Sequence, residues 1–458
     1  MTDSIQTPTQ ENKKDVWVLA AVFACFLLSG FAALLYQTAW MRQLSTVFGT
    51  SELAVATVLA AYMAGLAAGA AVAARVMHRI RRPVLVYGVL EGAIAISALA
   101  VPFLLQFSGL VYGALFGGQP APPDASGIGQ SLFYLAATFL VLAIPTGCMG
   151  ATLPMLTRYA VRTNEEVGSK VGSLYAINTL GAIAGTLAAA FVLLPALGLM
   201  WTIVVGAVIN LLVFLIAALL ARTMSASESS ATPNKIGLKI HWRPEDWILP
   251  VMLASGVATF CYEVLWTRLL SHILGGSVIA FATMLASFLS GIALGSAVAS
   301  RLATTRERAQ LAFVVVQLAI AATSLLIYQS LERFVPDVAG LGGNFGFAVA
   351  ILLPATFFIG ATYPFAVRIL SRDESEAAWA SARVYAWNTV GAIAGAVIAG
   401  FYLIPMLRYE GTIKLVVAIN VVLALVAALA TPVRRRTFAG VSAAALAGIA
   451  IFFSPGSP

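Results

Sequence analysis

Of the 19 acidic residues in the chain, only Glu91 and Glu263 fall inside long apolar runs. An ionisable group at membrane depth is costly and rare, which marks both positions as candidates for function. Glu263 lies in the segment CYEVLWTR, with Tyr262 before it and Trp266 about one helical turn on, a spacing that sets an acid and aromatic faces to line one cavity. A carboxylate beside aromatic rings attracts an ammonium group through charge pairing and cation–π interaction. Glu91 lies about two turns inside one end of its apolar run, where a lone carboxyl suits a proton-linked acid. Each acid also has a structural alternative: an ion pair of Glu91 with Arg75 or Arg79, and a Trp/Tyr interfacial belt in which Glu263 pairs with Arg268.

Other chemistries lack raw material. Cys25, Cys148 and Cys261 sit in apolar stretches without CxxC spacing, and His78, His241 and His272 are widely scattered. No disulfide framework, metal centre or Ser/His/Asp triad is expected, and no cofactor. The segment GLGGNFG from Gly340 is expected to be a loop between spans, and it does not follow a strand as a dinucleotide-binding turn would.

The elements that must position these residues are membrane helices. The chain has 458 residues, 60% hydrophobic and 10% charged, against roughly 25% charged in an ordinary soluble domain. With about 20 apolar residues per span, helices are predicted near 16–36, 53–74, 84–106, 130–153, 171–195 and 200–221, then near 247–267, 278–300, 310–330, 346–367, 381–404 and 412–430. The organisation expected is a cytoplasmic N-terminus over 1–15, a six-helix half over 16–222, a Ser/Thr-rich cytoplasmic linker over 223–245, a second half over 246–430, and a basic segment with a short apolar tail over 431–458. Within that tail, Phe438 to Phe453 is a candidate thirteenth helix, short for a span. With the N-terminus inside, every Lys and Arg except Arg42, Arg268, Arg333, Arg408 and Lys414 falls on the inner side. The net charge of +8 is therefore a positive-inside signature and not a nucleic-acid surface.

The chain also repeats itself. SGFAALLYQTAWMRQLSTVFG from Ser29 matches SGVATFCYEVLWTRLLSHILG from Ser255, and in the same register Gly65, Gly69 and Arg75 fall on Gly291, Gly295 and Arg301. A second block pairs Gly150 with Gly360, Pro154 with Pro364, Tyr175 with Tyr385, Asn178 with Asn388 and Pro195 with Pro405. The two acids occupy swapped positions: Glu91 aligns with Gln317, and Glu263 with Gln37. An even number of spans per repeat gives two halves in the same orientation, the parallel-repeat plan of the major facilitator superfamily, with the substrate site between the halves. The fold class expected is thus an all-α polytopic membrane protein of two parallel six-helix repeats. The GxxxG pairs Gly65/Gly69, Gly88/Gly92, Gly181/Gly185, Gly291/Gly295 and Gly391/Gly395 read as packing devices. Thr152 and Thr362, beside helix-breaking prolines, are expected to bond backbone carbonyls.

The motifs YQTAWMR and YEVLWTR, each preceded by SG and followed by a span ending in GLAAG or GIALG, resemble the membrane region of the fused facilitator/spermidine-synthase-like family. RRP…YGVLEGAI around Glu91 and the YxxNTxGAIAG segments at Tyr175 and Tyr385 extend that resemblance over essentially the whole chain. The resemblance implies a link to polyamine-like cations. Fused members carry a soluble aminopropyltransferase-like domain after the membrane part, which is not expected here, so a transporter and not an enzyme is the reading. The family pattern favours Glu in YExxW, which Glu263 retains and Gln37 does not.

The expected function is proton-linked transport of an organic cation, of the putrescine or spermidine class, in the inner membrane. The substrate-binding residues expected are Glu263, Tyr262, Trp266, Gln37, Tyr36, Trp40, Tyr175, Asn178, Tyr385 and Asn388, with Glu91 and Glu263 as proton-coupling acids. The partners expected are a small cation, the bilayer and a separate cytoplasmic aminopropyltransferase. Two alternatives stand beside it: a non-transporting module that anchors or feeds such a synthase, and a lipid flippase.

Overall fold

The computed structural model describes residues 10–48, 52–117, 128–161, 163, 166–223, 243–274, 278–334 and 341–431. The described residues form twelve long helices and no strand. In the first half these are α1 (Gln10–Phe48), α2 (Glu52–Val76), α3 (Pro83–Phe116), α4 (Ile128–Ala160), α5 (Glu166–Ala188) and α6 (Leu194–Thr223). The second half holds α7 (Ile248–Leu274), α8 (Val278–Leu302), α9 (Arg306–Phe334), α10 (Leu341–Leu370), α11 (Ala377–Ile398) and α12 (Ile404–Leu429). The architecture is all-α, as the apolar runs predict. The candidate thirteenth segment, 438–453, lies outside the described residues, as does most of the linker, 224–242.

Ten helical stretches are long and apolar enough to cross a bilayer. One of them, Glu166–Arg222, holds two of the predicted spans. It continues from α5 through a π-turn at Ala189–Leu193 into α6 and reverses at Gly198, whose φ of 74° and ψ of 179° lie outside the helical region. The second half repeats this. A π-turn at Ala399–Leu403 joins α11 to α12, and Arg408 takes the reversal with φ 56° and ψ −173°. The Gly340 segment corrects the sequence reading: from Leu341 onward it is the first turn of α10 and not a loop.

Within each half the same pairs of helices interlock, α1 with α5 and α2 with α4, then α7 with α11 and α8 with α10. The GxxxG stripes are what bring them together. A Cβ on Gly65 or Gly69 would strike Thr146 or the Gly147 carbonyl of α4, and one on Gly291 or Gly295 would strike Thr356 or the Phe357 carbonyl of α10. Without a hydrophobic force between helices in lipid, such close backbone approach supplies the packing energy. Thr152 and Thr362 donate to the carbonyls of Met149 and Ile359, each at 2.7 Å.

The halves meet along two seams, α5 on α8 and α2 on α11. On the first, Ser296 Oγ donates to the Gly172 carbonyl at 3.1 Å, and Gly168 stands directly against Ala303. These contacts lie at the end of the bundle that carries Arg75, Arg79, Arg158, Arg301 and Arg368, referred to below as the basic end. There a short turn, Pro244–Trp247, leads into α7. Glu245 pairs with Arg306 (3.0 Å) and Arg372 (2.9 Å), Asp246 with Arg383 (3.1 Å), and Arg243 with Glu376 (2.7 Å). Trp379 is flanked by the guanidinium groups of Arg243 and Arg383 at 5.1 and 4.5 Å. The end of the inter-half connection is thereby fastened to the second half.

Candidate substrate-binding cleft

The YxxxWxR motifs of α1 and α7 divide their side chains between faces, because residues 100° apart on a helix cannot share one. Tyr262 and Trp266, four residues apart, are both almost fully buried inside the second half. Tyr262 Oη accepts a hydrogen bond from Asn420 Nδ2 of α12 at 3.1 Å. Tyr36 and Trp40 repeat this in the first half: both are fully buried, their rings stack at 5.2 Å, and Tyr36 Oη donates to Asn210 Oδ1 of α6 at 2.9 Å. Gln37 is buried on α1 as well. The expectation that Tyr262 and Trp266 face the same space as Glu263 is therefore corrected. They turn into the bundle core, and the aromatic partners of Glu263 come from elsewhere.

Glu263 itself stays partly exposed. Among the described residues it forms no ion pair and no hydrogen bond. Arg268, the partner offered by the structural alternative, instead donates Nη2 to the Gly400 carbonyl at 3.1 Å, serving the backbone of the second π-turn. Across the seam Glu263 acts electrostatically on Tyr175 of α5, so the carboxylate of one half approaches a tyrosine of the other. Tyr175 stacks on Tyr363 of α10 (centroids 4.8 Å, planes at 30°), and Tyr363 meets Tyr385 of α11 edge to face at 6.4 Å. Tyr62 of α2 stands near Tyr385 from the opposite seam. Tyr363 and Tyr62 have hydrogen-bond partners, Ser381 and the Ala33 carbonyl. Tyr175 and Tyr385 are partly exposed, and neither hydroxyl has a hydrogen-bond partner among the described residues. The result is an unpaired carboxylate whose charge acts on Tyr175, one of four tyrosines from both halves that stand together.

The two asparagines separate. Asn178 Nδ2 donates to the Phe26 carbonyl at 3.1 Å and holds α5 to α1. Asn388, its counterpart on α11, is partly exposed with no side-chain hydrogen bond among the described residues. Glu91 does not reach the cleft. It is fully buried between α1, α3 and α6, whereas Arg75 and Arg79 are exposed; Asn210 Nδ2 donates to its carboxylate, and Ser29 and Tyr87 stand beside it.

No family model and no curated protein matches the chain. Among solved structures it is similar to the major facilitator superfamily proton:xylose symporter XylE bound to 6-bromo-6-deoxy-D-glucose, with a TM-score of 0.54 and 12% identity over 90% of this chain and 95% of that chain. The fold is that of the major facilitator superfamily. At this identity the likeness is one of fold, and it agrees with the two six-helix halves that meet along the seams described above.

Sequence reading missed Tyr62 and Tyr363. The signal was present in the repeat, where Tyr62 aligns with Phe288 and Tyr363 with Leu153. These are polar-for-apolar swaps of the same kind as the Glu/Gln exchanges.

Proposed function

We propose that the protein is a secondary transporter that moves a small organic cation by alternating access of its two halves. The observation that carries this reading is Glu263, an unpaired carboxylate in the cleft of a major facilitator fold, set against tyrosines from the opposite half. Such a site attracts an ammonium group by charge and by ring faces, and a carboxylate that alternately holds an ammonium group or a proton would link cation flux to proton flux. The sequence resemblance to the spermidine-synthase-fused family supports polyamines as the substrate class. The basic end, by the positive-inside rule, is the cytoplasmic side of a cell membrane.

Purified protein in liposomes, loaded with a pH gradient and offered labelled putrescine or spermidine, tests the proposal. Saturable uptake is expected, with Glu263→Gln reducing it at least tenfold, since removing one partner of a desolvated charge pair costs about 2–5 kcal/mol. Tyr175→Leu and Tyr385→Leu are expected to raise KM about three- to thirtyfold, from the loss of about 0.5–2 kcal/mol of cation–π attraction. Saturable flux untouched by Glu263→Gln removes the site assignment. Absence of saturable flux for any organic cation removes the function, and copurification of a soluble aminopropyltransferase without flux would favour an anchoring module.

A further inference from the structure

The interior of the first half holds a second polar cluster, away from the cleft, where α1, α3 and α6 pack. Tyr36 Oη donates to Asn210 Oδ1, and Asn210 Nδ2 in turn donates to Glu91 Oε2. Ser29 and Tyr87 stand beside the same carboxyl. Two atoms of this cluster, Glu91 Oε1 and Tyr87 Oη, are fully buried and complete no hydrogen bond. The other titratable groups facing Glu91 are Cys25 and Tyr36 on α1, Tyr87 on α3 and Cys148 on α4. Thiols and phenols are neutral near pH 7, so no positive side chain offsets a carboxylate here. An isolated ionised carboxylate in an apolar interior costs far more than any one contact returns.

The second half shows the same cluster without the charge. Ser255, Tyr262, Gln317 and Asn420 occupy the places of Ser29, Tyr36, Glu91 and Asn210, with Gln317 Nε2 directed at Ser255 Oγ (3.4 Å) and Asn420 bonded to Tyr262. Two residues of the cluster differ in kind: Glu91 replaces an amide, and Tyr87 replaces Phe313. Gln317 Oε1 is also buried without a hydrogen bond, so what the first half adds is an ionisable carboxyl in place of a neutral amide and, beside it, a second unpartnered oxygen, Tyr87 Oη.

We propose that Glu91, Tyr87 and Ser29 form a site for one singly charged cation, a proton or an alkali-metal ion, enclosed in the first half and separate from the substrate cleft. The cation supplies the charge that no side chain provides. The site does not depend on the transport reading, since its occupancy is measured on resting protein without substrate.

Two measurements on detergent-purified full-length protein distinguish the two sources. If the cation is a proton, infrared difference spectroscopy shows the C=O stretch of a protonated carboxyl that disappears in Glu91→Gln and shifts in Tyr87→Phe. If it is an alkali ion, the melting temperature rises by about 2–4 °C in sodium or potassium chloride relative to choline chloride, a rise that Glu91→Gln abolishes and Tyr87→Phe weakens. The double variant Tyr87→Phe/Glu91→Gln copies the second half's lining and is expected to fold and to show neither signal. If the wild-type protein shows neither signal, or if both persist unchanged in the double variant, the site does not exist.

Discussion

At the scale of single residues, the repeated YxxxWxR motif combines several separate jobs. Its tyrosine serves an asparagine of the last helix of each half, and its tryptophan fills the core. In α7 its arginine caps a π-turn carbonyl, and its acid stays partly exposed, acting electrostatically on Tyr175 of the other half. Reading the motif as one binding surface failed because adjacent helical residues diverge, a rotation that spacing along the sequence shows only when every position is assigned a face. Glu263, Tyr175 and Tyr385 were legible from charge scarcity and the repeat, whereas Tyr363 became evident only when α10 was seen to carry it under Tyr175. Different variants should separate the two roles. Tyr262→Phe removes a buried hydrogen bond and is expected to lower stability by about 1 kcal/mol, read as a drop in melting temperature with KM unchanged. Tyr363→Leu, which withdraws the ring on which Tyr175 rests, is expected to raise KM severalfold. Equal effects of both variants on KM would show that the division of the motif is wrong.

At the scale of elements, the order of the helices followed from hydropathy but not all their limits, since α1 (Gln10–Phe48) and α3 (Pro83–Phe116) run about ten residues past the predicted 16–36 and 84–106; the reversals at Gly198 and Arg408 fall in the gaps between predicted spans. Hydropathy could not show that the two reversals use the same backbone conformation, one open to glycine and strained for arginine. A residue with a side chain held in this region costs about 1–3 kcal/mol, and Gly198, its counterpart, lacks that cost because it has no Cβ. Arg408→Gly is therefore expected to stabilise the protein, by less than that figure because glycine also frees the unfolded chain. Gly198→Arg is expected to destabilise it by about 1–3 kcal/mol. Thermal unfolding in detergent checks both, and a lower melting temperature for Arg408→Gly would show that the arginine side chain contributes more than its backbone costs.

At the scale of the whole molecule, the two-half plan was readable from the repeat, but the seams were not, because α5 and α8 are unrelated in sequence and meet only in the folded chain. Alternating access requires the α5–α8 seam to part at the basic end. A Cβ at Gly168 would strike Ala303 across the seam, so Gly168→Leu is expected to hold the halves apart at this end and to reduce uptake at least tenfold. Unchanged uptake in Gly168→Leu would exclude close approach of the halves at this point as a step of transport. The paired π-turns have a different consequence. A π-turn holds more residues per turn than an α-helix, and here it occurs at matching places in both halves, at Ala189–Leu193 and Ala399–Leu403. The shared irregularity sets α6 and α12 in matching rotational register behind α5 and α11, so that Asn210 and Asn420 each reach the tyrosine of the first helix of their own half, Tyr36 and Tyr262.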